Sequence, residues 1–135
     1  MRIAVASKDG KSVAGHIGKC ADWVVFEVTE DEAPESDYVV TEVERITLPK
    51  ELVFHHYKDD GPHPLKSCRA VIGASAGESF VRRMNRRGID AVLTAEPNPA
   101  QAVADYVREN VTPPKPRPIG GLVCKIRDAL SGGDR

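Results

Sequence analysis

Ala70-Val71-Ile72-Gly73-Ala74-Ser75-Ala76-Gly77-Glu78 opens the stretch that decides the fold, and Ala91-Val92-Leu93-Thr94 closes it. Residues 70–73 are a short, continuous apolar run, the pattern of a buried strand. Ser75 and Glu78 stand three apart, as in a capping box with Ser75 as N-cap and Glu78 at N3. The helix they open runs to about Arg87, where Gly88 supplies the stop. Residues 91–94 then form a second strand. A strand, a helix and a strand in close succession predict a right-handed crossover between parallel strands. Beyond them, Asn98-Pro99 gives an N-cap followed by proline at the first helical position. Ala100, Val103, Ala104 and Val107 follow at i, i+3, i+4 and i+7, one apolar stripe facing a core.

Toward the N-terminus, residues 3–6, 23–28 and 38–46 read as three more strands. Asp9-Gly10 marks a turn after the first. Residues 29–36 are a polar turn after the second. Strands joined this way pair antiparallel. In the third, Tyr38, Val40, Glu42 and Glu44 share one face, while Val39, Thr41, Val43 and Arg45 share the other. Neither face is cleanly apolar, so this strand is expected at an edge or half exposed. Three strands followed by two β-α pairs predict an α/β fold. The expected architecture is a mixed five-stranded sheet with flanking helices, in two or three layers, ordered as in ribonuclease H.

The chain has 135 residues, which suits one domain. Residues 1–111 form that expected domain. Residues 112–118 carry four prolines and read as an extended connector. Residues 119–135 read as an amphipathic helix with a frayed tail; Ile119, Leu122, Val123, Ile126 and Leu130 make its stripe. That helix either covers the domain's own sheet or docks on another protein. The 19 basic and 20 acidic residues nearly cancel, so overall charge points neither to nucleic acid nor to a membrane surface. No apolar run approaches the ~20 residues of a bilayer span, and the N-terminus reads as a strand rather than a signal peptide. Cys20, Cys68 and Cys124 are widely spaced and odd in number, which argues for a reducing, cytoplasmic setting. Cys68 and Cys124 are expected in the core. The expected oligomeric state is monomer or homodimer.

Four stretches could carry chemistry. In Gly15-His16-Ile17-Gly18-Lys19-Cys20, Gly15 and Gly18 let the backbone bend around His16 and approach a ligand. His16 and Cys20 are an imidazole and a thiol four residues apart, able to converge on one metal or cluster. Lys19 would favour the Cys20 thiolate. The plainer alternative is a turn with an exposed histidine and a buried cysteine. His55-His56 and His63, with Asp59 and Asp60, form a second candidate metal cluster, or a solvated loop. Residues 73–77 could cradle an anion at a helix start, or simply cap it; they lack the glycine and lysine patterns of nucleotide loops. Arg82, Arg83, Arg86 and Arg87 share one side of the helix, opposite Phe80, Val81 and Met84. Residues 20–44 carry no lysine or arginine, so the molecule is dipolar; these faces either pair with each other and solvent, or meet a partner.

The constellations of enzymes are missing. The first strand holds no acid, so the clustered carboxylates of ribonuclease H chemistry have no counterpart. A His16–Cys20 nucleophile pair has no evident third group. The expectation is a protein that is not an enzyme.

Residues 2–7 (Arg-Ile-Ala-Val-Ala-Ser), Asp9-Gly10-Lys11, Gly15-His16-Ile17-Gly18 and residues 23–28 (Trp-Val-Val-Phe-Glu-Val) together resemble the dinitrogenase iron–molybdenum cofactor biosynthesis family. That is the NifX/NifY group, also found as the C-terminal domain of NifB. Residues 68–73, Gly77, residues 87–93 and the helix at 100–107 continue the resemblance, over roughly 1–110. It implies a ribonuclease-H-like fold and non-catalytic binding of a metal–sulfur cluster. The cargo would be the iron–molybdenum cofactor, its iron–sulfur precursor or a related molybdenum cluster, bound transiently and passed to cofactor assembly proteins. The family's His-Phe-Gly stands here as His16-Ile17-Gly18, so the ligand role carries to His16. Cys20 joins it on chemical grounds, and Gly15, Gly18 and Lys19 frame the pair. The alternative is a partner-binding or regulatory module of the same fold with no cluster.

Overall fold

The computed structural model describes residues 1–30, 38–58 and 62–114. Five strands form one sheet: β1 (Arg2–Ala6), β2 (Asp22–Glu30), β3 (Tyr38–Thr47), β4 (Ala70–Gly73) and β5 (Asp90–Leu93). Their order is β3-β2-β1-β4-β5. β1 pairs antiparallel with β2, and β2 with β3. β4 runs parallel to both β1 and β5. The mixed five-stranded sheet is therefore as the sequence predicts, and β3 is at one of its edges.

Among the described residues, two helices cover opposite faces, giving three layers. Alternation along β1 shows how. Ala4 and Ala6 join a core with Ile17, Trp23, Val25, Val71, Phe80 and Met84, under α1 (Glu78–Arg86). Ile3 and Val5 join the other core with Val24, Phe26, Ile72, Ala102 and Val103, under α2 (Pro99–Val107). Residues buried on both faces make β1 and β4 continuous apolar runs rather than alternating ones. Each fully buried Val or Ile contributes about 1.5–3 kcal/mol.

Two local expectations are corrected. Ser75 does not cap α1. The helix begins at Glu78, with Gly77 in the capping position and without a side-chain cap. The Ser75 hydroxyl instead accepts from the His16 N–H at 3.0 Å, and its carbonyl accepts from the Ile17 N–H at 2.9 Å. A long-range use of that residue displaces the local one. On α2 the buried stripe starts one residue earlier than predicted: Pro99, Ala102 and Val103 are buried and Tyr106 packs beside them, while Ala100 is exposed. The Asn98 cap itself is as expected, its side chain accepting from the Gln101 N–H at 3.0 Å. Gly88, at φ +76°, ends the α1 segment in the left-handed region, as its position predicts.

The acidic stretch on β2 and β3 finds its partners locally. Glu27 meets the N-terminal amine at 2.7 Å and Arg2 at 3.5 Å; Arg2 reaches Glu44 at 3.8 Å, and Arg45 pairs with Glu42 at 2.8 Å. The α1 arginines are left for other contacts. At the far end, the Thr112 carbonyl accepts from the Thr94 hydroxyl at 2.8 Å, tying the start of the 112–118 segment to the end of β5. From residue 115 that segment, and the expected helix over 119–130 with Cys124, lie outside the described residues. So do Asp59 and Asp60. Among the described residues, no helix is long and apolar enough to cross a membrane.

Candidate functional site

The loop between β1 and β2 carries His16. This residue sits at φ 46°, ψ 63°, in the left-handed region. An L-residue there costs about 1–2 kcal/mol. The surroundings hold it in place. Its N–H is bound to Ser75, its carbonyl accepts from the Lys19 N–H at 2.8 Å, and the next residue, Ile17, is fully buried. The bend was expected to come from Gly15 and Gly18, but neither has a positive φ. Gly18 serves differently: a Cβ there would stand 3.3 Å from the Phe80 ring. Gly73 serves Ile17 in the same way, since its Cβ would meet the Ile17 Cβ at 3.0 Å. The turn is thus wedged between β4 and α1, and the His16 side chain is left exposed above it.

His16 stands on a ridge between two hollows. One, of about 490 Å³, is lined by His16, Lys19, His55, Arg83 and Arg86, with Phe54 and Phe80 on its wall and Gly77 and Ser79 at the start of α1. No carboxylate is among the described residues that line it. Imidazoles, cations and the positive end of a helix face one space, which favours an anion. The other hollow, of about 450 Å³, is lined by His16, Lys19 and Cys20 with Lys8, Asp9 and Ser12.

Cys20 shares that second hollow with His16, but its residue is only 3% exposed. Its thiol donates to the Asp22 carbonyl at 3.1 Å, and its own carbonyl accepts from the Trp23 indole at 3.0 Å. Burial pushes the thiol pKa up; the opposing charge is that of Lys8, not of Lys19 as expected. The Cys68 thiol is buried in the core, as predicted, and is pushed up by burial to about 11.

The candidate cluster of three histidines divides. His63 is 6% exposed, stacked on Phe54 with centroids 4.5 Å apart. Its Nδ1 accepts from the Leu65 N–H at 3.1 Å, so its Nε2–H donates to the Leu52 carbonyl at 2.7 Å. Both ring nitrogens are spent on the Leu52 carbonyl and the Leu65 N–H, so His63 is a core histidine. His55 and His56 are exposed, and only His55 faces the His16 cleft. Among the described residues, no group of three or more His, Cys, Asp or Glu is placed to hold a metal ion.

The arginine face of α1 also divides its work. Arg82 pairs with Glu78 at 3.6 Å. Arg83 donates to the Phe54 carbonyl at 2.6 Å and to the Tyr57 carbonyl. Arg87 lies over the Tyr57 ring, 5.1 Å from its centroid. Arg86, exposed, reaches the cleft. In the sequence His55 stands with His56 and His63, and its place beside His16 is not visible there. The signal is tertiary: the His55 N–H donates to the Gly18 carbonyl at 2.7 Å, joining loops far apart in the chain.

A three-layer α/β sheet thus carries a histidine ridge above a cationic cleft. The family model described as dinitrogenase iron-molybdenum cofactor matches residues 1–109, and the chain belongs to that family. Its members are in general cofactor-handling proteins rather than catalysts. Among solved structures, the crystal structure of PH0822 is similar in fold. It has a TM-score of 0.51 and 17% identity, covering 83% of this chain and 93% of that one. An NMR structure of a Thermotoga protein, assigned to NifB and to the DUF35 family, has a TM-score of 0.46 and 13% identity, covering 82% of this chain and 90% of that one. No curated protein matches.

Proposed function

We propose that the chain binds an anionic metal–sulfur cluster as cargo and hands it on to cofactor assembly proteins, without catalysis of its own. The cargo is the iron–molybdenum cofactor, its iron–sulfur precursor or a related molybdenum cluster. One observation carries this reading: His16 is held in a costly left-handed conformation that leaves its imidazole exposed at the mouth of a cleft with no carboxylate among the described residues that line it. Strain maintained by surrounding contacts favours a functional role over a merely tolerated turn. A carrier must also release what it binds. Few protein ligands plus a cationic surround suit that better than a closed four-ligand site.

In this reading His16 is the first ligand, with Gly15 and Gly18 framing it and Lys19 supplying charge. Cys20 is a second-stage ligand, since its thiol must leave the Asp22 carbonyl and ionise before it can coordinate. Residues 1–111 form the cluster-handling unit in this reading, followed by the 112–118 connector and by the 119–135 segment, which lies outside the described residues. The setting is cytoplasmic.

Anaerobic gel filtration tests the proposal. The full chain is incubated with iron–molybdenum cofactor or its iron–sulfur precursor, and iron, molybdenum and sulfide are assayed in the protein peak. Co-elution at a fixed ratio, reduced in His16→Ala, is expected. No co-elution of either cluster overturns the reading. It would favour the second one, a partner-binding module using the β3 edge, where Val39 and Val43 are 47% and 46% exposed.

A further inference from the structure

Two loops meet over the cleft, and both present a histidine. The His55 N–H bonds to the Gly18 carbonyl at 2.7 Å, two residues from His16. On its other side, Arg83 reaches across from α1 and binds the carbonyls of Phe54 and Tyr57, which bracket His55 in sequence. Phe54 is buried among Trp23, Phe80 and His63, all in ring contact with it. Tyr57 is buried as well, under Arg87. The segment 54–57 is therefore anchored by two aromatic residues and a guanidinium fork, while the His55 side chain between them is exposed. An exposed side chain needs no such anchoring to be solvated. Anchoring of this kind fixes where a side chain stands, which a metal ligand requires. His56, the next residue, sets its ring edge-on to that of His55, with centroids 5.0 Å apart, but lines a different hollow with Glu51 and Lys58.

We propose that His55 is a second imidazole ligand for the metal-containing cargo of the His16 cleft, and that Arg83 is its positioning residue. The inference rests on the cluster-binding reading for the nature of the cargo, but not for the pairing of the two imidazoles. Neutral imidazole is a ligand for the borderline metals, iron among them. Two imidazoles from separate loops hold a metal more firmly than one, yet leave the remaining positions to sulfide or an incoming protein. Arg86 and Lys19 stand around the same space and offset the cargo's negative charge.

Two probes separate this inference from the reading beneath it, both applied to the untagged full chain. The first is cobalt(II) alone, followed by its visible absorption. The second is iron and sulfide assembled anaerobically on the chain, with imidazole nitrogens counted by pulsed electron paramagnetic resonance. His16→Ala and His55→Ala are each expected to weaken cobalt binding by at least about tenfold, and His56→Ala to leave it unchanged. The reduced cluster is expected to show two nitrogen couplings, one of them lost in His55→Ala. Arg83→Gln is expected to weaken cobalt binding in the native background and to have no further effect in His55→Ala. A general loss of structure would instead lower both.

A cluster that assembles on the chain with one nitrogen coupling, unaffected by His55→Ala, overturns the second ligand and leaves the carrier reading standing. Cobalt binding that needs both histidines, with neither the iron–molybdenum cofactor nor its precursor co-eluting with the chain, keeps the paired site and overturns the carrier reading. Equal losses from His55→Ala and His56→Ala mark adventitious imidazole binding and overturn the pairing.

Discussion

The backbone N–H of His16 donates to the side-chain oxygen of Ser75, 59 positions further along the chain, at 3.0 Å. This bond joins the β1–β2 loop to the β4–α1 turn and helps hold His16 in the left-handed region. A net hydrogen bond of this kind contributes about 1 kcal/mol, and an N–H left without its acceptor costs more when water cannot reach it. Ser75→Ala is expected to lower stability by about 1 kcal/mol in urea unfolding. It should also reduce cluster retention, because the ridge loses its anchor. Unchanged retention with lowered stability would show that the His16 conformation is held without Ser75.

Gly73→Ala should cost more. The added Cβ would stand 3.0 Å from the Ile17 Cβ, itself a branched and fully buried position. Ile17 cannot swing its Cβ aside without moving the backbone of the His16 turn. Overpacking at such a site costs about 1–3 kcal/mol. Gly15→Ala is the contrast, since its Cβ would meet nothing closer than the Ser75 oxygen at 3.8 Å. Urea midpoints for the two variants should separate clearly, with Gly15→Ala near wild type.

His63 makes stability depend on pH. Burial lowers its pKa below the ordinary 6.5, aided by the charges of Arg87 and Arg83 and opposed by the bond to the Leu52 carbonyl. The folded chain keeps the ring neutral where the unfolded chain already takes a proton. Below pH 6.5 the unfolded state therefore binds more protons, and stability falls as pH falls. Protonation would also remove the Nδ1 acceptor from the Leu65 N–H. Urea midpoints measured from about pH 7.5 down to about 5.5 should decline. In His63→Gln, less stable throughout, that decline should be shallower.

The thiols respond at the other end of the scale. Burial raises the pKa of Cys68 from 9.0 to about 11 and pushes Cys20 up as well. The nucleophile is the thiolate, so both should react slowly with a disulfide reagent in the folded chain and rapidly in urea. Cys124→Ser removes the third thiol from the assay. The same shift has a stability consequence. Above pH 9.0 the unfolded Cys68 loses its proton first, so stability falls as pH rises through about 11. Rapid native labelling of Cys20 would show that its thiol leaves the Asp22 carbonyl readily, which would favour its part in coordination.

Much of this was legible in the sequence where local chemistry decides the outcome. β4 and the Asn98-Pro99 start of α2 follow from an apolar run and a cap, and Gly88 from the need for positive φ. The site was legible only in part. His16 could be singled out, but the sequence credited Gly15 and Gly18 with a bend that His16 itself makes. Ser75 matched a capping box, yet a bond from the other side of the fold claimed its hydroxyl. His55 looked like a neighbour of His56 and His63 because sequence shows only adjacency. Its ring does meet that of His56, with centroids 5.0 Å apart, but the groups that anchor its segment, Gly18 and the Arg83 fork, come from other elements. Local propensity cannot report a contact made by long-range packing.

The cationic surround of the cleft gives the last prediction. Arg86 is exposed and lines the cleft, whereas Arg82, on the same helix, pairs with Glu78 at 3.6 Å. If negative cargo is drawn to the cleft by charge, reversing Arg86 must hurt more than reversing Arg82. Arg86→Glu is expected to slow cluster uptake and weaken retention several-fold at low salt, with Arg82→Glu near wild type. Screening supplies the check on cause. The Debye length falls from about 10 Å at 0.1 M salt to about 3 Å at 1 M. The gap between Arg86→Glu and wild type should therefore narrow as salt rises, while the loss in His16→Ala, which removes a ligand rather than a charge, should persist. A deficit in Arg86→Glu that salt does not touch would assign Arg86 a direct contact with the cargo instead of a long-range pull.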